Sequence, residues 1–315
     1  MEKIKLGVSA CLLGEPVRYD GAHKLDPFLV ETLGRYVEYV PVCPEVECGL
    51  GVPRESMRLE GDLAHPRLVT TRTHRDLTDR MERWAAKRAL ELEREDLCGF
   101  IFKAKSPSCG FFAVPVFSPT GALAAKGRGL WARAFTEYFP LVPVEEEGRL
   151  RDPELRENFI ERIFALKRWR DVLKKGRTRR NLVEFHTDHK LLILAHSPRH
   201  YAQMGKLVAR AAERPIGEVF SEYLNLLMEA LELKATARKH VNVLQHAMGY
   251  FKRQLAEDEK RELLEIIGQY ARSLVPLVVP VTLLNHYARK FNEPYLTRQF
   301  YLNPHPVELG LRNHV

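Results

Sequence analysis

The chain has no run of eighteen apolar residues. Its greasiest stretch, 274–284, is broken by Pro276 and Pro280 and is too short to span a bilayer. Five cysteines among 315 residues are too few for a disulfide scaffold. The apolar part of the opening Met-Glu-Lys-Ile-Lys-Leu-Gly-Val-Ser-Ala-Cys is too short for an export signal, so a cytoplasmic setting with reduced thiols is expected. Internal repeats and low-complexity tracts are also missing. These absences argue against membrane-spanning, secreted and fibrous proteins. A composition of 45% hydrophobic and 29% charged residues excludes wholesale disorder, and the length predicts two domains.

Charge and residue usage divide the chain. Residues 1–150 hold 21 Lys and Arg against 22 Asp and Glu, whereas 151–315 hold 28 against 19. All five cysteines lie in the first half and nine of the twelve histidines in the second. We expect a thiol-chemistry domain over 1–148 and a basic, partner-binding domain over 149–315, joined near the acidic triplet Glu145-Glu146-Glu147. Short apolar runs at 4–9, 37–42 and 99–104 read as strands, and 73–97 has helical spacing, which predicts an α/β domain with a mainly parallel sheet. The second half carries three-to-four-residue periodicity over 156–174, 183–195, 202–213, 216–231, 235–256 and 258–274, which predicts an all-α domain.

Three cysteines share one structural address. Cys11, Cys43 and Cys109 each follow an expected strand, beside Pro or Gly. In parallel sheets those strand ends converge on a ligand-binding crevice. Three thiolates gathered from distant positions suit a metal centre with an incomplete protein ligand set. Zinc sites favour local Cys-x2-Cys pairs, which are absent here. A 4Fe–4S cluster normally takes four thiolates, so three would leave one iron open, and a soft sulfur ligand would suit it. Free cysteines usually just pack, which is the expected role of Cys98 at a strand start. Cys48, in a loop near Cys43, reads as a spare thiol.

At these residues the first half resembles the thiouracil desulfidase (TudS) family. The matching segments are Ser9-Ala10-Cys11-Leu12-Leu13-Gly14, Val17-Arg18-Tyr19-Asp20-Gly21, Cys43-Pro44-Glu45, Gly49-Leu50, Pro53-Arg54 and Lys105-Ser106-Pro107-Ser108-Cys109-Gly110. The second half resembles the helical YbgA-type domain at Phe185-His186-x-x-His189-Lys190, Ala195-His196, Tyr201, Gly205-x-Leu207-Val208-Ala209 and Pro304-His305-Pro306-x-Glu308-Leu309. Joined in this order, the halves are similar to bacterial desulfidases acting on 4-thiouridine in tRNA. The resemblance implies a 4Fe–4S cluster held by Cys11, Cys43 and Cys109 with one open iron. It also implies a catalytic acid/base at Glu45 and a catalytic serine at Ser106. The sequence departs from the family at none of these positions.

Replacing C=S by C=O needs a thiophile, a base for water and donors for the developing charge. Glu45, two residues after a ligand, is placed to serve as that base. Ser106 is placed to relay a proton or bond the substrate ring, and Ser108 has the same chemistry. Arg18, Arg54 and Lys105 are candidates for holding a phosphate or the developing charge, although each alone reads as a surface ion-pair residue. In the second half, the basic run through Lys174, Lys175, Arg177, Arg179 and Arg180 reads either as a solvated face or as a patch for RNA phosphates. His186, His189, His196 and His200 would share a helix face if Pro198 did not interrupt it, so packing or RNA contact is expected there rather than metal. The partners expected are thus tRNA containing 4-thiouridine or free thiopyrimidine nucleotides. A non-catalytic iron–sulfur sensor and a plain RNA-binding protein with structural cysteines are the competing classes.

Overall fold

A computed structural model describes residues 3–118 and 120–314. The chain folds as two compact units, 1–159 and 160–315.

The first unit holds two sheets. Strands β1 (Ile4–Ser9), β2 (Val37–Val42), β5 (Gly99–Phe102) and β8 (Val144–Glu146) form a parallel sheet in the order β2-β1-β5-β8. Its centre is apolar along the whole strand: Leu6, Val8, Phe100, Ile101 and Phe102 are buried, as both faces of a covered parallel sheet require. Helices α2 (Thr78–Leu92) and α3 (Leu130–Tyr138) pack on each other and on this sheet through Ala85, Ala89, Trp131 and Phe135. The expected third strand is two residues shorter than its apolar run, because Lys103 turns away to bond Ser9 Oγ through its amide, 2.9 Å.

A second sheet, unforeseen from the sequence, has the order β4-β3-β6-β7, with β3 (Met57–Gly61), β4 (Pro66–Thr70), β6 (Val114–Phe117) and β7 (Leu123–Gly127). These strands are four or five residues long, and all but the mostly buried β4 are partly exposed, so their periodicity is too short to separate from loop. The acidic triplet is also not a linker. Glu145 and Glu146 belong to β8, and all three carboxylates are bonded within the first unit: Glu145 to Arg149, Glu146 to the amides of Phe111 and Phe112, Glu147 to Lys103 and the amide of Ala104. The two units part further along, within α4 (Pro153–Lys175).

The second unit is helical throughout its described residues, with α5 (Arg179–His196), α6 (Pro198–Ala209), α7 (Ile216–Glu232), α8 (Ala237–Met248), α9 (Glu257–Ala271), α10 (Val278–Lys290) and α11 (Pro294–Thr297). Trp169 stacks on Tyr223 with ring centroids 5.1 Å apart, amid Phe185, Phe220 and Leu227. Among the described residues, no helix is long and apolar enough to cross a membrane.

Candidate metal centre and active site

The parallel sheet explains why three distant cysteines meet. β2 and β5 flank β1 on opposite sides, so the chain leaving each strand's C-terminal end rises beside the same crevice. Cys11 lies in a 3₁₀ turn (Ala10–Leu13) directly after β1, and Cys43 caps the one-turn helix α1 (Pro44–Glu47) after β2. Cys109 ends the loop after β5.

That last loop is held from two sides. Gly129, just before α3, has no room for a side chain: a Cβ there would lie 2.4 Å from the Ser108 carbonyl oxygen. This close approach lets the unpaired amides at the start of α3 serve the loop, Trp131 N–H donating to Ser108 O at 3.0 Å and Leu130 N–H to Pro107 O at 3.3 Å. From the other side, Glu146 accepts two loop amides and Glu147 grips Lys103.

A cavity of ≈ 380 Å³ opens here, with Cys11, Cys43 and Cys109 in its wall beside Glu45, Arg54, Lys103 and Ser106. Cys11 feels the charge of Cys43, and Cys109 that of both Cys43 and Cys11. Burial pushes the Cys11 thiol up to about 11, with Cys43 adding to the rise and Lys103 and Arg18 opposing it. Burial likewise raises Cys43 and drives Cys109 well above the usual range. None of the three is in a disulfide, and their hydrogen bonds are weak: Cys43 Sγ lies 3.8 Å from Val17 O and Cys109 Sγ 4.0 Å from Ser108 Oγ.

Thiols this buried stay protonated unless a cation takes the proton's place. Among the described residues, no three His, Cys, Asp or Glu side chains are grouped to hold a single ion. A cluster asks for something different: soft thiolates on separate irons, converging on a space large enough for the inorganic core. Three buried thiols around one cavity, with Lys103 and Arg18 near to offset negative charge, fit that demand.

Glu45 sits in α1, two residues past Cys43, with both oxygens engaged. Arg54 clamps Oε2 through Nε at 2.8 Å and through Nη2, while Ser108 Oγ donates to Oε1 at 2.6 Å. Ser106 Oγ is 2.9 Å from Ser108 Oγ and accepts the amides of Cys109 and Ser108 at 3.1 and 3.3 Å. With two amides pointing at it, the Ser106 oxygen has its own proton free to donate onward. A directed chain results: Ser106 to Ser108 to Glu45, with Arg54 at the far end.

The expected substrate-binding residues divide. Arg18 and Lys105 line the cavity; Arg18 lies 3.4 Å from Asp20, and Lys105 is exposed in a left-handed backbone conformation. Arg54 also lines it but is committed to Glu45. Ser108 is fully buried behind the wall, so it reaches the cavity through Ser106 and not directly. Cys48 packs beside Leu59 and Leu68, bonding Glu45 O at 3.3 Å, and Cys98 is buried at the start of β5; neither lines the cavity. The sequence reading missed Lys103, Lys24 and Tyr19, which also line it. Lys103 left a signal, as a charged residue ending an apolar run beside an expected site. Tyr19 lies in the matching segment 17–21 but was not singled out, and Lys24 left no signal.

In the second unit, Lys174, Lys175, Arg177, Arg179 and Arg180 cluster at the exposed turn from α4 to α5. Arg179 is tied to the carbonyls of Ala211 and Ala212, and Arg180 to Glu184 at 2.9 Å. His186, His189 and His196 are buried on α5, whereas His200 belongs to α6, started by Pro198. His196 Nε2 pairs with buried Glu161 at 2.9 Å, and Arg312 takes the other Glu161 oxygen at 2.6 Å.

Residues 6–147 match the family described as 2-thiouracil desulfurase, and 190–306 match a protein family of unknown function, DUF1722. The uncharacterized protein YbgA of Escherichia coli (strain K12) is 31% identical over 153 residues, which is 48% of this chain and 90% of YbgA. The uncharacterized protein YbbK of Bacillus subtilis (strain 168) is 31% identical over 108 residues, 33% of this chain and 71% of YbbK. A solved structure described as the [4Fe-4S]-dependent thiouracil desulfidase TudS is 29% identical, covering 48% of this chain and 95% of its own, with a TM-score of 0.41.

Proposed function

This chain carries a 2-thiouracil desulfurase domain and belongs to the family of YbgA through its DUF1722 region, and on that premise we propose that it is an iron–sulfur-dependent desulfidase converting 4-thiouridine in tRNA to uridine. The observation that carries the reading is the convergence of Cys11, Cys43 and Cys109 on one cavity beside a carboxylate wired to a serine pair. Each cysteine would ligate one iron of a 4Fe–4S cluster. When bound, such a cluster supplies an open, thiophilic iron that polarises the thiocarbonyl as a Lewis acid.

The chain's own groups do the rest. The overall change is hydrolytic: a bond forms from water oxygen to the carbon bearing sulfur, the C–S bond breaks, and sulfur departs as sulfide without net oxidation or reduction. Glu45 takes the water's proton by general base catalysis, directly or through Ser106 and Ser108. Arg54 holds the carboxylate in place through its paired contacts. Ser106, on the cavity wall, bonds the ring or passes the proton. Lys105 and Arg18 at the wall suit a substrate phosphate. The basic α4–α5 turn suits an RNA backbone.

A second reading, turnover of a free thiopyrimidine or its nucleotide, is favoured by the family's own description, which names 2-thiouracil. One anaerobic assay tests both. Protein reconstituted with iron and sulfide, beside an apoprotein control, is mixed with tRNA containing 4-thiouridine or with 4-thiouridine monophosphate, and loss of thiocarbonyl absorbance is followed. Cluster-dependent loss from tRNA is expected. Loss from the monophosphate alone would move the function to the small substrate. No loss despite a full cluster, or an unchanged cluster-dependent response in Glu45→Ala, would remove the hydrolytic reading.

A further inference from the structure

The helical unit contains a groove of ≈ 220 Å³ between α4 and α5 that the desulfidase chemistry leaves unused. Arg168 and Lys175 line it from one face of α4, and Asn181, Phe185 and His189 from one face of α5, with Phe300 also in its wall. Arg168 joins two segments far apart in sequence: its Nε donates to His189 Nε2 at 3.1 Å and its Nη1 to the Pro304 carbonyl at 2.8 Å. The guanidinium lies over the Phe300 ring, 4.0 Å from its centroid. Its Nη2 is shut off from water and has no hydrogen-bond partner among the described residues. A charged N–H in that condition is costly until an acceptor is supplied.

Charge bookkeeping says what kind of acceptor. Three carboxylates also line the groove, but each faces its own cation: Asp171 with Lys167 at 2.5 Å, Glu184 with Arg180 at 2.9 Å, and Asp188 with Arg298 at 3.0 Å, although Asp188 Oδ1 accepts no hydrogen bond among the described residues. Arg168 feels the charge of Glu161, but among the described residues neither it nor Lys175 forms an ion pair with a carboxylate. The first turn of the eighteen-residue α5 reaches the groove at Asn181, which adds the positive end of a helix dipole. His189 is kept neutral by burial and by Arg168, so it accepts from that arginine and adds no charge. With each of the three carboxylates offset by its own cation, Arg168 and Lys175 leave the groove with a positive formal charge.

The geometry points to a phosphate-binding groove between α4 and α5, in which Arg168 and Lys175 take a phosphate ester of the substrate. The inference rests on the tRNA reading for the source of that phosphate, since a free nucleotide carries the same chemistry. It gives the basic α4–α5 turn a specific receiving point instead of a diffuse charged face.

The test measures binding apart from turnover. Affinity of the full-length protein for a tRNA transcript lacking thiouridine is followed against salt, and affinity for uridine monophosphate by calorimetry. Lys175→Glu, Arg168→Gln and, as a charge-matched control on α9, Lys260→Glu are compared with wild type. Lys175→Glu and Arg168→Gln should each weaken tRNA binding about tenfold and reduce the salt slope by about one, with Lys260→Glu within about threefold of wild type. Lys175 is exposed, so its variant keeps the test decisive if Arg168→Gln fails to fold. Wild-type-like binding of both tRNA and monophosphate by Lys175→Glu would overturn the groove while leaving the desulfidase reading intact. An equal loss in Lys260→Glu would overturn it too, as a bulk charge effect. If wild type binds no tRNA but binds the monophosphate through these two residues, the groove stands and the tRNA reading falls.

Discussion

In residues 1–159 the thiols, the carboxylate and the serines of interest stand on loops beyond strand ends and surround one cavity. In residues 160–315 His186, His189, His196 and the Glu161 carboxylate are buried on helices, bonded to Tyr223, to a backbone carbonyl, to one another and to Arg312. Both regions bury polar groups, but to different ends. The α/β unit leaves its thiols without strong partners, which keeps them available to a ligand. Among the described residues the helical unit leaves His186 Nε2, His305 Nε2, Asp188 Oδ1 and Arg168 Nη2 without a hydrogen-bond partner, and of these Arg168 Nη2 is the cationic donor.

That contrast can be broken most sharply at the thiols. Replacing Cys11, Cys43 or Cys109 by Ser should abolish iron uptake on anaerobic reconstitution and bring turnover to background, while far-UV circular dichroism keeps the helical signal. Full iron content in any of the three variants would remove that cysteine from the ligand set. Next comes the carboxylate: Glu45→Gln should retain iron and lose about a thousandfold in turnover. Ser108→Ala should lose about 10- to 100-fold, because it breaks a hydrogen bond to a charged group, and Ser108→Thr should recover part of that. A Ser108→Ala enzyme with wild-type turnover would cut the chain between Ser106 and Glu45.

The helical unit's sealed histidines predict a pH effect on stability. Burial, aided by Lys190 at His186 and by Arg312 at the other two, holds His186 and His305 near 4 and His240 near 3. In the unfolded chain these rings titrate near ~6.5, so between roughly 6.5 and 4 the unfolded state binds more protons. Stability is therefore complete above that window and declines as pH falls through it, by up to about 1.4 kcal/mol per pH unit for each histidine. Glu161 is held below the usual carboxylate range by Arg312 and His196, so its loss begins only at lower pH. Urea unfolding with peptide-resolved exchange labelling should show the helical unit weakening between pH 7 and pH 5. A midpoint independent of pH would mean the histidines are not sealed. The smallest effect expected is at Cys48, which packs away from the cavity: Cys48→Ala should hold iron content and turnover within about twofold of wild type.

Much of this molecule was legible beforehand, and unevenly so. β1 and β2 match their apolar runs residue for residue; β1, a central parallel strand, is buried on both faces, and β2, at the sheet edge, is marked by its β-branched and aromatic residues. Helices α4 to α9 follow from their periodicity. α10 was missed because Pro276 and Pro280 disguise it; Pro280 falls in its first turn, where no amide bond is lost. The second sheet escaped because β3, β4, β6 and β7 are short, and all but β4 are partly exposed. Its discovery matters less to the site than the loop after β5.

The sequence by itself determined the two-part division, the α/β and all-α classes, and the three thiols after three strands. These depend on local composition and periodicity, which each segment carries alone. Tertiary structure alone decided that Ser108 is the buried link between Ser106 and Glu45, that Arg54 serves the carboxylate, and that the acidic triplet anchors the loop after β5. It also brought Arg168 to both His189 and Pro304. Hydrogen bonds between residues 63, 35 or 136 positions apart are set by how elements pack, and no local pattern encodes them.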